Sequence, residues 1–404
     1  MLLPLLLVLP CLAAGLAEKP QMGWNSWNAF KSHIDESVIL GTADALVGTG
    51  MRAAGYEYLL IDDGWADDRD ANGYQQANAS RFPNGIPAVA DYAHERGLKL
   101  GIYSDAGIFG CSFRPGSWGY EEVDAATFAS WGVDYLKYDN CGGFQASTYP
   151  PQERFGRMAN ALRSSGREIF YSLCQWGNQF PWLWADQVSE SYRISGDIHP
   201  SFSSDGAATC KTAYCLNTGY ASVSVLTMIR KMRELSYFQK PGAWGDMDML
   251  EIGNGAMTEL EEQTHFSFWA ALKSPLIASA DLQTIDRSSL DILLNKEIIA
   301  INQDDAGVAV EYVPALSTEG STQIWGGPLA SGKSRFVILA FNEKNTTQDT
   351  IDIPLLKVPR FAEHVDGSSR VRDVWATRDI RQTDDNLVLE GFGPHETKVL
   401  VFSQ

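Results

Sequence analysis

The sequence predicts an α/β fold, a (β/α)8 TIM barrel followed by a C-terminal antiparallel β-sandwich domain. Three observations support this prediction. The chain has 404 residues, 45% of them hydrophobic, which is enough for two domains, one of barrel size. Up to about residue 305, eight short apolar runs end in polar residues and alternate with longer stretches of helical character. Beyond about residue 310, short β-like runs alternate with turn residues instead.

The amino-terminal stretch forms a segment of its own. It is apolar and uncharged, shorter than a membrane span, and interrupted by Pro4 and Pro10. Gly15 and Ala17 are small residues at the two positions that a signal peptidase reads. We therefore expect residues 1–17 to be a cleaved signal peptide and the protein to be secreted, with an extracellular, vacuolar or lysosomal destination.

The barrel is predicted over residues 18–308. Mostly apolar strands that alternate with helices indicate a parallel sheet covered on both faces, and eight such units indicate a barrel. Two helical stretches, Ala88–His94 and Phe155–Leu162, are each followed by a glycine-containing stop. The predicted strands are Met22–Trp27, Tyr56–Ile61, Leu98–Tyr103, Val133–Tyr138, Ile169–Leu173, Arg193–Ile194, Ala243–Trp244 and Leu276–Ala278.

The β-sandwich is predicted over residues 309–404. Glycine, asparagine, aspartate and serine turns separate its short β-like runs, and we find no helical pattern between them. The predicted strands are Thr322–Trp325, Arg335–Phe341, Thr350–Ile353, Val371–Trp375, Leu387–Leu389 and Thr397–Phe402.

The charge balance restricts the partners that the protein can have. Asp and Glu number 50 against 32 Lys and Arg, so the formal net charge is −18. A field of this sign repels phosphate backbones and anionic lipids, which argues against nucleic acid and membrane partners. A neutral or cationic small molecule is the better expectation. The sequence does not specify the oligomeric state, and a homo-oligomer is left open.

Aspartates follow several predicted strands at the end where a TIM barrel has its active site. Lys137 and Asp139 are two positions apart on one strand, so both should point into one pocket, and Lys137 should lower the pKa of Asp139, which suits a nucleophile. Asp197 ends another strand. The other polar and aromatic residues at these strand ends are Asp62, Asp63, Asp246, Asp248, Trp24, Trp27, Trp65, Trp176 and Trp244.

This combination of side chains suits a sugar. Carboxylates accept hydrogen bonds from hydroxyl groups, and indole rings stack on the apolar C–H face of a sugar ring. Two carboxyl groups that flank a glycosidic bond are the machinery of glycoside hydrolysis. The sequence pattern therefore predicts a barrel glycosidase with a small carbohydrate substrate.

Eight sequence blocks, in the same order, resemble the secreted α-galactosidases of glycoside hydrolase family 27, which also contains α-N-acetylgalactosaminidase. The resemblance covers the whole barrel, and the family also carries a C-terminal β-sandwich. The matching blocks are Met22–Trp27, Ile61–Trp65, Lys99–Asp105, Tyr135–Cys141, Cys174–Gly177, Arg193–Asp197, Gly242–Leu250 and Ala300–Asp304.

The resemblance implies a retaining mechanism that needs no cofactor and no metal. Asp139 matches the family nucleophile, and Asp197 matches the acid/base. Asp62 and Asp63 match acceptors for O6 and O4 of galactose. The other residues that the resemblance assigns to substrate binding are Trp27, Tyr103, Cys111, Lys137, Arg193 and Asp248.

The sugar specificity depends on the loop that follows Cys174. In the family, a pair of small residues in this loop leaves room for a 2-acetamido group. Gln175 and Trp176 are large, which favours a plain 2-hydroxyl group and hence galactose. Asp62 favours a substrate with an O6 group over a pentopyranoside.

The cysteines suggest disulfides in a secreted protein. Cys210 and Cys215 enclose four residues and are expected to pair with each other. The resemblance implies a second disulfide, Cys111–Cys141, next to the nucleophile, and leaves Cys174 as the free thiol.

The sequence also contains two glycosylation sequons and lacks one cysteine bridge that is common in the family. Asn78 and Asn345 begin N-glycosylation sequons, which we expect to be used in a secretory context. Gly64 stands where the family commonly has a cysteine bonded to another cysteine after the first strand, so this chain lacks that bridge.

The sequence is also compatible with other functions. An α-N-acetylgalactosaminidase is a close relative, and an inactive galactose-binding barrel would retain the tryptophans without turnover. Lys137 at a strand end could form a Schiff base in a lyase or aldolase. The acidic residues Asp62, Asp63, Asp246 and Asp248 could instead hold a metal ion.

Overall fold

The computed structural model describes residues 15–143, 148–203, 223–330, 335–365, 369–380 and 385–403. These residues form the predicted barrel followed by the predicted antiparallel β domain. Within these ranges, no helix is long and apolar enough to cross a membrane. Cys210, Cys215 and the first fourteen residues of the predicted signal peptide lie outside the described residues.

Eight parallel strands form the barrel in the sheet order β8-β1-β2-β3-β4-β5-β6-β7. The strands are β1 Met22–Asn25, β2 Tyr58–Leu60, β3 Lys99–Asp105, β4 Tyr135–Asp139, β5 Phe170–Leu173, β6 Ser191–Arg193, β7 Trp244–Asp246 and β8 Leu276–Ala278. Leu250 lies beyond β7 and forms a parallel bridge with Ala278 of β8, which joins the two ends of the sheet. A further short parallel pair, Ile198–His199 with Val223–Ser224, lies outside this sheet.

Helices connect the strands and cover the outside of the barrel. They are α1 Trp27–Phe30, α2 Glu36–Gly48, α3 Met51–Ala54, α4 Gly85–Glu95, α5 Glu121–Ser130, α6 Pro151–Ser164, α7 Val225–Leu235, α8 Glu259–Ala271, α9 Arg287–Leu293 and α10 Lys296–Asn302. Local sequence sets several of their starts: Asp35 caps α2 by accepting from Val38 N, and Thr258 and Glu261 form a capping box on α8. The two predicted helices lie within α4 and α6.

A layer of aromatic rings fills the amino-terminal end of the barrel. Tyr58, Tyr135, Phe170 and Trp244 are the first residues of their strands and are almost completely buried. The rings of Tyr135 and Phe170 stack with their centroids 4.9 Å apart. This layer fills the amino-terminal end of the barrel with packed apolar rings.

The C-terminal domain consists of two antiparallel sheets, ordered β9-β10-β11-β16-β13-β14 and β12-β15. The strands are β9 Glu311–Tyr312, β10 Thr322–Leu329, β11 Arg335–Asn342, β12 Gln348–Pro354, β13 Arg370–Asp373, β14 Arg378–Ile380, β15 Asn386–Phe392 and β16 Thr397–Ser403. One face packs on the barrel, where Phe268 of α8 meets Trp325 of β10 with ring centroids 5.6 Å apart. The sandwich therefore packs against a helix on the outside of the barrel.

The structure corrects the expectation that this domain has no helix. A single turn, α11 Phe361–His364, lies between β12 and β13. The ring of Phe361 packs against Phe336 and Phe402, with centroids 5.4 and 5.0 Å away. Tertiary packing therefore holds this turn, and four residues are too few to show a helical period in the sequence.

Candidate active site

A cavity of about 210 Å³ opens at the carboxyl ends of the barrel strands. Its position is the one at which TIM barrels carry their active sites. The residues that line it are Trp27, Asp62, Asp63, Tyr103, Cys111, Lys137, Asp139, Cys141, Cys174, Trp176, Gly196 and Asp197. The structure thus brings together all but three of the residues expected to act in catalysis or substrate binding. The other strand-end residues, Trp24, Trp65, Trp244 and Asp246, do not line this cavity, and Trp244 lies instead in the aromatic layer at the amino-terminal end.

Arg193, Asp248 and Gln175 are the three expected catalytic or binding residues that do not line this cavity. Arg193 and Asp248 line a smaller cavity of about 30 Å³ inside the barrel, which shares Lys137 and Cys174 with the main cavity. Gln175 is fully buried, and its side-chain amide donates to Gln179 Oε1 at 3.4 Å. The prediction that Gln175 contacts the substrate is therefore not supported by its position.

The backbone of the loop after β5 explains this arrangement. Trp176 has a positive φ of 64°, in the left-handed region that bulky residues rarely adopt. This conformation accompanies an indole that faces the cavity, whereas the preceding residue, Gln175, lies in the interior. The backbone angle is not visible in the residue types, so the sequence could not distinguish these two neighbours.

Asp139 is held rigidly at the end of β4. Its Oδ1 atom accepts hydrogen bonds from Trp176 Nε1 at 3.0 Å and from Asn140 N at 2.9 Å. Its Oδ2 atom accepts from the Tyr103 hydroxyl at 2.9 Å. With only 5% of its surface exposed, Asp139 has little rotational freedom, and its carboxyl group is fixed in one orientation.

The pKa of Asp139 differs from the sequence-based expectation. Burial raises it to about 6, although the positive charge of Lys137 acts in the expected, opposite direction. The sequence showed the lysine but not the depth of the carboxyl group, so it predicted a lowered pKa. The cost of removing the carboxylate from water outweighs the attraction to the lysine.

Asp197 lies in a different environment on the same cavity. Its side chain is 52% exposed and its Oδ1 atom pairs with Arg193 Nη2 at 3.2 Å. Partial enclosure tends to raise the pKa of Asp197, but Arg193 and Lys137 lower it more, so the pKa lies below the usual value. Arg193 is in turn held by Asp248, whose Oδ2 atom is 2.7 Å from Arg193 Nη2.

Asp62 and Asp63 form an acidic wall after β2. Asp62 Oδ2 accepts from Lys137 Nζ at 2.5 Å and from Asn25 Nδ2 at 2.7 Å. Asp63 accepts from the backbone N and the hydroxyl of Ser112, at 2.7 and 2.6 Å. Both carboxylates are therefore held in position on the wall of the cavity.

A disulfide closes the rim of the cavity next to Asp139. Cys111 and Cys141 are bonded, as the resemblance implies, and the Cys111 sulfur lies 3.3 Å from Asp139 Oδ2. The loops that carry them also meet at Asp105, whose carboxyl group accepts from Gly107 N and Cys141 N, both at 2.7 Å. The nucleophile candidate therefore has a cross-linked wall beside it.

Several residues that support the site were not predicted from the sequence. Asn25 holds Asp62, Ser112 holds Asp63, and Asp105 joins two loops through backbone amides. Cys174, buried and unpaired among the described cysteines, lines the cavity itself. Asp105 follows the predicted strand Leu98–Tyr103, just as the other site aspartates follow their strands, and this position could have identified Asp105 as a site residue.

Arg81 joins the loop of Gly64 to the loop of Ser32. A Cβ atom on Gly64 would come within 2.9 Å of Ser32 Cα, and Gly64 has a φ of 110°. Arg81 Nη1 donates to the carbonyl oxygens of both residues, to Ser32 O at 2.6 Å and to Gly64 O at 2.9 Å. A guanidinium thus joins the two loops without a covalent bond.

The geometry argues against a Schiff base at Lys137. Burial alone would lower the pKa of Lys137, but the charges of Asp62 and Asp139 raise it well above the usual value. A protonated ammonium group that is paired with a carboxylate is a poor nucleophile. The chemistry of this lysine is therefore that of a hydrogen-bond donor and a fixed positive charge.

The acidic residues considered for a metal ion do not form one cluster. Asp62 and Asp63 line the main cavity, whereas Asp248 is paired with Arg193. In the part of the chain that the structure describes, one group has ligand atoms close enough together for a metal ion: Asp105, Cys111, Asp139 and Cys141. Its two sulfurs form the disulfide, so they are not thiolate ligands.

Two family models match almost the whole described chain. The model described as Alpha galactosidase A matches residues 19–304, and the model described as Alpha galactosidase C-terminal beta sandwich domain matches residues 319–402. The first therefore covers the barrel with its candidate site, and the second covers the sandwich.

Curated relatives give the same result. The chain is 44% identical over 367 residues to Alpha-galactosidase 2 of Arabidopsis thaliana, covering 89% of this chain and 84% of the relative. It is 47% identical over 338 residues to the Alpha-galactosidase of Coffea arabica, covering 83% and 82% of the two chains.

Solved structures of α-galactosidases share both domains of this chain. Alpha-galactosidase I of Mortierella vinacea superposes with a TM-score of 0.90 at 37% identity, covering 97% of this chain and 98% of that chain. The alpha-galactosidase of Saccharomyces cerevisiae with raffinose superposes with a TM-score of 0.86 at 30% identity, covering 96% and 98%. The chain is therefore a glycoside hydrolase that belongs to the α-galactosidases of glycoside hydrolase family 27.

Proposed function

We propose that this chain is a secreted, retaining α-galactosidase that hydrolyses terminal α-D-galactosyl residues of oligosaccharides, galactomannans or glycoconjugates. The observation that carries the proposal is the contrast between two carboxyl groups on one cavity. Asp139 is buried and fixed by three donors, whereas Asp197 is half exposed and has Arg193 as its partner. The two groups are thus suited to different roles.

In the first step, Asp139 attacks the anomeric carbon of the galactosyl residue. The bond between this carbon and the leaving oxygen breaks, and Asp197 donates its proton to that oxygen. In the second step, Asp197 takes a proton from water, the water oxygen bonds to the anomeric carbon, and the Asp139 carboxylate is released. Two displacements on the same carbon retain the configuration.

The surroundings of the two groups fit these roles. A nucleophile must be fixed in line with the anomeric carbon, and Trp176, Asn140 and Tyr103 hold both oxygens of Asp139. These donors also stabilise the carboxylate when it leaves in the second step. An acid/base must reach both the leaving group and water, and the exposed side of the cavity at Asp197 allows this.

The protonation states place a condition on the mechanism. Catalysis needs an ionised Asp139 and a protonated Asp197, whereas burial raises the pKa of Asp139 and Arg193 lowers that of Asp197. A sugar ring that covers Asp197 removes water from it and raises its pKa towards the range that an acid needs. The rate should therefore fall on the alkaline side, with an apparent pKa of about 6, as the pair loses its last proton.

Recognition of the sugar follows from the fixed polar groups. Asp62 and Asp63 accept hydrogen bonds from ring hydroxyl groups, and Lys137, protonated and held by Asp62, donates one. Trp27 lines the same cavity with a flat ring, which can cover the apolar face of the sugar. Arg193 and Asp248 act from beneath by orienting Asp197.

Trp176 favours galactose over N-acetylgalactosamine. Its indole lines the cavity and donates to Asp139, so it occupies space next to the anomeric centre that a 2-acetamido group would need. Rates on an aryl α-galactoside and on its 2-acetamido analogue test this directly. Faster hydrolysis of the acetamido substrate would instead support an α-N-acetylgalactosaminidase.

Two features support a secretory route. The Cys111–Cys141 disulfide requires an oxidising compartment, and Asn345 is exposed, as a glycosylated asparagine must be. Asn78 is half-buried, with its side-chain oxygen accepting from the Ser80 hydroxyl at 2.6 Å. Treatment of the secreted protein with a peptide N-glycosidase should lower its mass, whereas an unchanged mass would contradict the use of these sequons.

Trapping of the covalent intermediate tests the proposal as a whole. In 5-fluoro-α-galactosyl fluoride, the ring fluorine slows both displacements, and the good leaving group speeds the first, so the galactosyl-enzyme accumulates. Peptide mass spectrometry should locate the sugar on Asp139 in the wild-type protein and find none in Asp139→Asn. Turnover without any trapped sugar, or a sugar on another residue, would contradict the role of Asp139.

A further inference from the structure

Ala17 packs into the amino-terminal end of the barrel. It is 1% exposed and belongs to the aromatic layer that contains Tyr58, Tyr135, Phe170 and Trp244. Its carbonyl oxygen accepts two hydrogen bonds, from the indole Nε1 of Trp244 at 2.9 Å and from Gly242 N at 2.8 Å. Ala17 therefore has the contacts of a residue of the folded domain.

The residues on either side of Ala17 strengthen this placement. Leu16 packs against the same aromatic layer and lines a cavity of about 380 Å³ together with Ile169 and Tyr171. Glu18 N donates to Gly15 O at 3.3 Å, which closes a turn around Leu16 and Ala17. We call Leu16 and Ala17, the two residues of this turn that pack on the aromatic layer, the barrel plug.

Loss of the barrel plug would leave polar groups without partners. With Ala17 in place the ring of Trp244 is fully buried, so removal of Ala17 takes away the acceptor of its indole N–H and uncovers part of the aromatic layer. A cut after Ala17 would also leave Gly242 N without its acceptor. Both losses oppose a mature chain that begins at Glu18.

We propose that the mature protein keeps Leu16 and Ala17, because the signal peptide is cleaved before Leu16 rather than after Ala17. Two other pairs of small residues offer such a site. Cys11 and Ala13 would direct a cut after Ala13, and Ala13 with Gly15 would direct a cut after Gly15. Both leave the carbonyl of Ala17 in place. This inference rests on the secretory part of the proposed function and is independent of the catalytic part.

The amino-terminal sequence of the protein secreted from its full-length precursor gives the first test. We expect the first residue to be Ala14 or Leu16, and in any case a residue at or before Leu16. A first residue at Glu18 or later would overturn the proposal. An uncut precursor would overturn the processing step, while activity measurements on the same sample report separately on the catalytic proposal.

Two chains with fixed starts give the second test. Behind an unrelated leader, one is made to begin at Leu16 and the other at Glu18, and their thermal unfolding is compared. The Glu18 chain should unfold at a temperature lower by roughly 4 °C or more, because it loses two buried hydrogen bonds. Equal midpoints would overturn the role of the plug.

Matched variants separate the carbonyl from general effects of truncation. Trp244→Phe removes the indole donor, so it should lower the midpoint of the Leu16 chain more than that of the Glu18 chain. Ala17→Gly in the Leu16 chain keeps the carbonyl and should stay close to its parent. Equal effects of Trp244→Phe in both chains would contradict the Ala17 contact. The kcat of both chains should agree, because the site lies at the other end of the barrel.

Discussion

At the amino-terminal end of the barrel, Tyr135 and Phe170 stack ring on ring, 4.9 Å apart, and Ala17 satisfies the buried indole of Trp244. The carboxyl-terminal end instead buries carboxyl groups such as that of Asp139. Burial raises the pKa of Asp139 to about 6. The first end gains free energy from packing, whereas the second carries the cost of desolvated charge. The barrel thus separates the residues that stabilise it from those that react.

The cost at the catalytic end is shared by several groups. Burial also raises the pKa of Asp246 to about 6, and the pKa values of Asp105 and Glu251 to about 7. A structure that keeps four such groups is not optimised for stability at this end. Substitutions at the carboxyl-terminal end should therefore change activity more than stability, and substitutions at the amino-terminal end should do the reverse.

Asp139→Asn should give the largest effect on activity. We expect kcat on an aryl α-galactoside to fall by about 10⁴-fold or more, since the proposed nucleophile is lost. The thermal midpoint should stay the same or rise, because a buried ionisable group becomes neutral. The matched control is Asp91→Asn, the same chemical change at an exposed position on α4, which should alter neither quantity. Activity near that of the wild type in Asp139→Asn would refute its role.

Phe170→Ala should give the reverse pattern. Phe170 is fully buried between Tyr58 and Tyr135, so its truncation leaves a cavity that costs about 3–5 kcal/mol of unfolding free energy. The kcat of the folded fraction should remain within a factor of about 2–3. Denaturant unfolding and kcat, measured on the same samples, test this, and a large loss of kcat with intact stability would remove the contrast between the two ends.

The stability of the wild-type protein should depend on pH in a definite direction. Asp105, Asp139, Asp246 and Glu251 have raised pKa values in the folded state, so they stabilise it fully below about pH 4, the unfolded value. This contribution is lost as the pH rises through about 6 to 7. The thermal midpoint should thus be higher at pH 4.5 than at pH 7.5.

A substitution links this pH dependence to the catalytic end. Asp246→Asn removes one of the four groups and should make the midpoint vary less between these two pH values. A midpoint that rises from pH 4.5 to pH 7.5 in the wild type would show that these carboxyl groups are not buried as the structure has them.

Lys137→Met should shift the pH profile of kcat/KM. Lys137 lowers the pKa of Asp139, so its removal should move the alkaline limb of kcat/KM to higher pH. The value of kcat/KM itself should fall by about 10–100-fold, because Asp62 loses its cation. Lys137→Arg keeps the charge and should leave the limb in place. A limb that moves to lower pH in Lys137→Met would contradict the electrostatic assignment.

The sequence predicted the parts of the molecule that depend on local pattern. The barrel strands appear as apolar runs, and the carboxyl groups at their ends, such as Asp62 and Asp139, reveal the catalytic end. Properties set by depth or backbone angle were not accessible in this way. Lys137 was visible beside Asp139, but the burial that reverses the pKa shift was not. The positive φ of Trp176 was equally hidden. With this backbone angle, Trp176 faces the cavity and Gln175 lies away from it.

The anomer that is formed first tests the central claim most directly. Proton NMR of an aryl α-galactoside during the first minutes of hydrolysis distinguishes the two anomers of galactose before they equilibrate. Two displacements by Asp139 and then by water predict α-galactose as the first product, with the β anomer appearing later by mutarotation. The β anomer as the first product would show a single displacement by water and would contradict the account of Asp139 and Asp197.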